Sequence, residues 1–181
     1  MNKLWIFLLI PFLACNDSYT PKPRGFSRID FPQKTMSWLK TDCPFQFLKP
    51  SYLVLKEKKE NCWFDLHFEQ FNGTLHMSYK EVRGNVNKYI EESRDLAYKH
   101  SKVAQAINEQ AFVNKSANVY GLVYTFEGAT ASGIQFYLTD STQHFVRGAL
   151  YFNTAISDSL MPINNFINQD VYNIVESWEW K

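Results

Sequence analysis

The sequence carries no charge excess of either sign. Lys and Arg number 19 and Asp and Glu 18 over 181 residues. Nucleic-acid binding normally leaves a clustered basic surplus, and there is none, so no nucleic-acid partner is expected. Long hydrophobic runs are also missing. Residues 4–13 form the longest, interrupted by Pro11, and a spanning helix takes about 20 residues. Cysteine occurs only three times. No internal repeat and no second compositional zone appears, and the length suits one core. No Gly-x-Ser-x-Gly nucleophile elbow occurs. The small-residue loop 128–133 lacks the Gly-Lys-Ser/Thr ending of a phosphate loop. The carboxylates are dispersed, with no pair set for acid–base work. No catalytic residue and no cofactor is assigned on these grounds.

Aromatic side chains are what the chain has in abundance. There are 15 Phe, 10 Tyr and 5 Trp, 17% of all residues. Such bulky groups favour a sheet-rich core. With 45% hydrophobic and 20% charged residues, the composition is globular rather than disordered.

The first fifteen residues read as an export signal. Lys3 and the terminal amine form a positive region, and residues 4–13 an apolar one, the pattern of a secretory signal peptide. Ala14 followed by Cys15 resembles a bacterial lipobox, in which the cysteine becomes an acylated N-terminus. Phe12 and Leu13 depart from its commonest flank. The alternative is an ordinary signal peptide cut after Ala14, leaving Cys15 a free thiol. Cleavage removes Lys3 alone among the charged side chains, leaving 18 basic and 18 acidic residues. A neutral body then stays on a membrane through its lipid: each buried CH₂ contributes about 0.8 kcal/mol, and two chains anchor stably. The expected organisation is a signal over 1–14, a lipidated tether containing Pro21 and Pro23 over 15–26, and a globular domain over 27–181.

Strand patterns begin near Ser27. Arg28-Ile-Asp-Phe31 alternates briefly before Pro32. Residues 45–48 and 52–55 flank Pro50, and 63–69 and 74–80 alternate well around Asn72-Gly73, a strong hairpin signal. Residues 85–107 show the longest helical pattern, with Asn85 or Asn87 as cap. Strands are expected over 110–115, 119–127, 134–139 and 145–153. The last has apolar residues on both faces, as in a central strand covered on two sides. A helix over 160–178 follows, with Asp158 or Ser159 as cap and Pro162 tolerated in its first turn. The expectation is an α+β fold: a mainly antiparallel sheet of six or seven strands packed by two helices. This order is similar to that of PsbP/Mog1-like domains, a fold-level likeness that implies no activity.

Few polar residues invite a chemical role. Cys43 and Cys62, an even pair in an exported domain, predict one disulfide, the alternative being two buried thiols. His67 and His76 share the polar face of a hairpin, with His76 expected opposite His67 or Glu69. Their spacing matches no metal signature, and no metal is assigned. Ser93 and His100 fall on the core stripe of the expected helix, about 10.5 Å apart in rise. That is too far for Ser–His activation, which needs about 3 Å. His100 reads as a boundary histidine satisfied by a hydrogen bond, with a tyrosine for example, or as a partner-facing group. Asp140, Ser141 and His144 lie close in sequence, in a turn where they need not converge.

Several short motifs occur in a defined order. Pro21-Lys-Pro-Arg-Gly-Phe-Ser-Arg-Ile-Asp-Phe-Pro32 follows the lipobox, then Cys43-Pro-Phe, Cys62-Trp-Phe, Tyr89-Ile-Glu-Glu-Ser93, Tyr98-Lys-His-Ser101 and Ala106-Ile-Asn. Gln135-Phe-Tyr-Leu-Thr-Asp-Ser141, His144-Phe, Gly148-Ala-Leu-Tyr-Phe152 and Glu179-Trp-Lys181 complete the set. Together they resemble the gliding motility lipoprotein GldD family of Bacteroidota over nearly the whole chain. The resemblance implies a non-enzymatic accessory lipoprotein needed for gliding and linked to type IX secretion. It would be lipid-anchored, face the periplasm and contact other envelope proteins of that apparatus; the choice of inner or outer membrane stays open. A periplasmic lipoprotein binding a small lipid or glycan is the other reading, and it requires a pocket of about 300 Å³ or more.

Overall fold

The computed structural model describes residues 28–154 and 156–181. The predicted lipidation site Cys15, the signal and the tether lie outside the described residues.

Eleven strands and two helices are present among the described residues. Seven strands form one antiparallel sheet. They are β4 (Val54–Glu57), β5 (Phe64–Phe68), β6 (Gly73–Glu81), β7 (Ala106–Asn114), β8 (Val119–Glu127), β9 (Ser132–Thr139) and β10 (His144–Phe152). The spatial order is β4-β5-β6-β10-β9-β8-β7. Two meanders thus meet in the middle. The first runs β4 to β6, the helix α1 (Val86–Tyr98) carries the chain to the far edge, and β7 to β10 work back until β10 pairs with β6. Two small ladders flank this sheet: β1 (Met36–Trp38) with β3 (Leu48–Pro50), and β2 (Phe45–Gln46) with β11 (Glu179–Trp180).

The central β10 is covered on both faces. Against one face lies α2 (Met161–Glu176), whose Ile167, Val171, Ile174 and Val175 join Leu66, Leu75, Phe136 and Leu150 in the main core. Trp178 extends it, stacked on Phe45 at 4.6 Å and Phe47 at 4.9 Å. These aromatic pairs stabilise beyond their buried area. Against the opposite face α1 covers a smaller cluster of Ala97, Tyr124 and Phe126.

Several elements differ from their sequence expectation. The helix over 85–107 stops at Tyr98, and Lys99–Lys102 form a 3-10 turn. Its apolar tail fits either period, and the ladder decides: Ala106 pairs with Glu127 and Ile107 with Phe126 at the start of a nine-residue match. Asn85 occupies the N-cap position, yet its side chain caps nothing; its Oδ1 accepts from the Arg83 N–H at 3.0 Å. Likewise α2 begins after a 3-10 turn with Leu160 at the N-cap and no side-chain cap, so neither Asp158 nor Ser159 holds that position. The segment Arg28-Ile-Asp-Phe31 is not a strand. It lies on α2 instead, Phe31 stacked on Phe166 at 4.3 Å. The stretch 45–48 is split between the two small ladders.

The predicted hairpin forms through Glu69–Phe71 with Asn72 in the left-handed region at φ 51°. Gly73 then pairs with Phe68, which sets the register. His76 falls opposite Asp65, and His67 opposite Thr74, so the expected facing of His76 with His67 or Glu69 does not occur.

Candidate functional site

A groove of about 320 Å³ runs along the flank of α1. It exists because α1 is short and lies over β9 and β10, leaving the neighbouring faces of β5 and β6 uncovered. Tyr89, Glu92, Ser93 and Leu96 of α1 form one wall; Trp63, His76, Ser78, Lys80, Phe145 and Arg147 form the floor and the other wall. Helical spacing puts Tyr89, Ser93 and Leu96 on one face, and strand alternation puts Phe145 and Arg147 on the same side of β10.

Two polar assemblies meet this groove. At its rim Asp65 Oδ1 lies 2.8 Å from Lys58 Nζ and 2.7 Å from His76 Nδ1. Partial burial pulls the Asp65 pKa upward, but hydrogen bonds and charge from Lys58 and His76 outweigh it and hold the carboxyl below its usual range. At its floor Arg147 Nη2 donates to Gln135 Oε1 at 2.6 Å. Gln135 is 1% exposed; its Nε2 donates to Ser132 Oγ at 3.2 Å and to the Tyr151 hydroxyl at 3.5 Å. The Tyr151 hydroxyl also meets His100 Nε2 at 3.4 Å. Burial, then the Arg147 charge, lowers the His100 pKa and favours the neutral ring. Desolvation also lowers the Arg147 pKa, against Tyr151, which raises it.

Ser93 and His100, read from sequence as one stripe, part company. Ser93 is buried in α1 beside the groove, while His100 sits in the following turn against Phe126 at 5.1 Å. They share no hydrogen bond among the described residues. Asp140 accepts the backbone N–H groups of Thr142, Gln143 and His144. The His144 ring instead contacts the Tyr79 hydroxyl at 2.8 Å and stacks on Trp180 at 5.2 Å. Ser141 contributes its backbone N–H to Thr139. This turn is knit for structure, and no serine–histidine pair forms there among the described residues. Cys43 and Cys62 are joined in a disulfide with Cα atoms 5.6 Å apart. No cluster of three His, Cys, Asp or Glu side chains gathers to hold a metal among the described residues.

The sequence reading passed over Arg147 and Gln135. Their signal was polarity inside strands that otherwise read as core: Gln135 heads Gln-Phe-Tyr-Leu, and Arg147 interrupts Phe-Val-Arg-Gly-Ala-Leu. It also passed over Asp170, which lies on the buried side of α2 with no exposed surface. The Tyr52 hydroxyl donates to Asp170 Oδ2. Lys34 Nζ approaches Oδ1 at 2.7 Å as an ion pair outside good hydrogen-bond geometry. The same ammonium donates to the Phe166 carbonyl at 3.1 Å and lies 4.0 Å from that ring's centroid.

No curated protein matches the chain. A family model does: that of the gliding motility lipoprotein GldD, over residues 16–180. With the match spanning the disulfide, both meanders, both helices and nearly all of the described chain, the protein belongs to the gliding motility lipoprotein GldD family.

Proposed function

We propose that the protein is a non-enzymatic accessory component of the gliding and type IX secretion apparatus, anchored by acyl chains on Cys15. Its body faces the periplasm and acts through contacts with other envelope proteins of that apparatus. The observation that carries this reading is the family match over residues 16–180, which starts beside the lipobox cysteine. Physical chemistry supports the anchor. The body beyond the signal has balanced charge, and no helix among the described residues is long and apolar enough to cross a membrane. Acyl chains on Cys15 would supply attachment at about 0.8 kcal/mol per buried CH₂. Partner contact has candidate surface in Trp38, Val103 and Val113, large apolar groups left exposed.

The anchor is tested by fractionating cells that express Cys15→Ala: the variant is expected in the soluble fraction, and full retention on membranes would refute the anchor. The apparatus is tested by clean deletion, expected to abolish surface spreading and secretion together. Intact movement and secretion would refute that part.

A further inference from the structure

Arg147 is a cation whose counter-charge is missing. Among the described residues no carboxylate lies within 4 Å of it. The nearby acids are committed elsewhere. Asp65 is held by Lys58 and His76, and Glu92 reaches Lys88 at 3.8 Å. Gln135 supplies one neutral acceptor and fixes the guanidinium plane. A guanidinium presents five N–H donors in a rigid fork that matches a carboxylate two at a time. The half-buried fork lines the groove, held by the Gln135 amide and beside the Tyr151 hydroxyl, and those two neutral partners leave donors of the five for a ligand there.

Apolar side chains make up much of the rest of the groove. Phe145 stands beside Arg147 on β10, stacked against Tyr137 at 5.5 Å and packed on Tyr89 at 5.5 Å. Leu96 closes the α1 side and Trp63 the β5 side. Trp63 is fixed by its indole N–H to the Tyr79 carbonyl at 2.8 Å, with Lys80 Nζ 4.5 Å from its ring centroid. A volume of about 320 Å³ falls at the small end of ligand sites, which run to about 1,000 Å³.

We propose that this groove binds a small organic acid, its single carboxylate on Arg147 and a compact apolar body against Trp63, Leu96 and Phe145. Lys80, the other groove cation outside any ion pair among the described residues, is taken up over the Trp63 ring, which leaves the Arg147 guanidinium to match a monoanion. The uncommitted charge lies at the floor, so the polar end enters first and the apolar body covers it from water, where charge-assisted hydrogen bonds gain strength.

The test uses the full lipidated chain in detergent, titrated calorimetrically with 4-phenylbutyrate, and with 4-phenylbutanamide as its uncharged counterpart. Arg147→Gln removes the charge. Leu96→Glu places a competing carboxylate at a half-exposed rim position, where folding tolerates it, and circular dichroism checks both variants. Saturable binding of the acid is expected, with the amide and both variants weaker by about tenfold or more. Equal binding of acid and amide, binding that survives Arg147→Gln, or no saturation up to about 10 mM overturns the proposal. So does binding through Arg147 of a blocked Phe-Asp peptide where phenylbutyrate fails, since the site would then take a protein segment. Each readout concerns the isolated chain, so failure here leaves the envelope role standing, and the reverse holds as well.

Discussion

The Lys34–Asp170 pair makes a prediction that runs against first intuition. Asp170 is the residue with no exposed surface, while Lys34 keeps 27% of its side chain exposed. Deleting the buried partner should nevertheless cost less than deleting the exposed one. In Lys34→Ala the carboxylate stays buried with one side-chain donor, the Tyr52 hydroxyl. Breaking a buried pair this way costs about 3 kcal/mol, the low end of the usual range. Loss of the contact with the Phe166 ring adds about 0.5 kcal/mol. In Asp170→Asn the ammonium swings into water and Tyr52 still meets an oxygen, so about 1–2 kcal/mol is lost. For a chain of this size each kcal/mol lowers Tm by about 2–4 °C. Lys34→Ala should thus fall by about 7–14 °C and Asp170→Asn by about 2–8 °C. The double variant should be more stable than Lys34→Ala alone, because the orphaned charge is gone. Urea unfolding and thermal melts of the three oxidised variants measure this. Asp170→Asn costing as much as Lys34→Ala, or a strictly additive double variant, would refute the reasoning.

Three further outcomes are expected. Cys43→Ser opens the disulfide that spans 19 positions and should cost about 3 kcal/mol by loop entropy, read from the urea midpoint against oxidised protein. Burial pulls the Asp140 pKa up, but the N–H groups of His144, Gln143 and Thr142 outweigh it and hold the carboxyl below its ordinary value. A folded pKa below the unfolded one, about 3.9, gives stability that is present above that value and lost as pH falls through the folded one. The gap between wild type and Asp140→Asn should therefore hold steady at about 1–2 kcal/mol from pH 6 to 8 and close in acid; a gap that widens in acid would reverse the sign. At Gly121 an added Cβ would strike the Tyr137 carbonyl oxygen and approach Leu138 Cδ2 at 2.8 Å. Gly121→Ala should therefore cost more than about 2 kcal/mol by calorimetric melting.

Much of the sheet was readable because alternation, turn chemistry and burial agree there. Phe64, Leu66 and Phe68 are all buried, and Asn72 takes the left-handed conformation that closes the hairpin, with Gly73 already in β6. The central placement of β10 followed from its two apolar faces. What failed was decided by distant partners. Ala106 and Ile107 continue a helical stripe in sequence, but β8 captures them across a turn. Met36–Trp38 and Glu179–Trp180 have no pattern long enough to notice, and each exists through one short partner. The candidate groove was illegible for a related reason. Arg147, Gln135 and Ser93 come from three elements and become neighbours only when α1 crosses to the far edge of the sheet. Asp170 sits among Asn and Gln in α2, and nothing local marks it as the buried member of the group.

The docking of residues 28–35 on the side of α2 has a mechanical meaning if acyl chains hold the far end. Tension entering at Arg28 first meets the Phe31–Phe166 stack and the Lys34 ion pair, not the hydrogen-bonded ladders of the main sheet. That attachment peels one contact at a time, whereas a ladder pulled along its strands resists with many bonds at once. Release of these eight residues would lengthen the leash by up to about 27 Å with the seven-stranded sheet intact. With the chain held at Cys15, that reach would be spent before the main sheet bears load, at the cost of the Lys34–Asp170 pair.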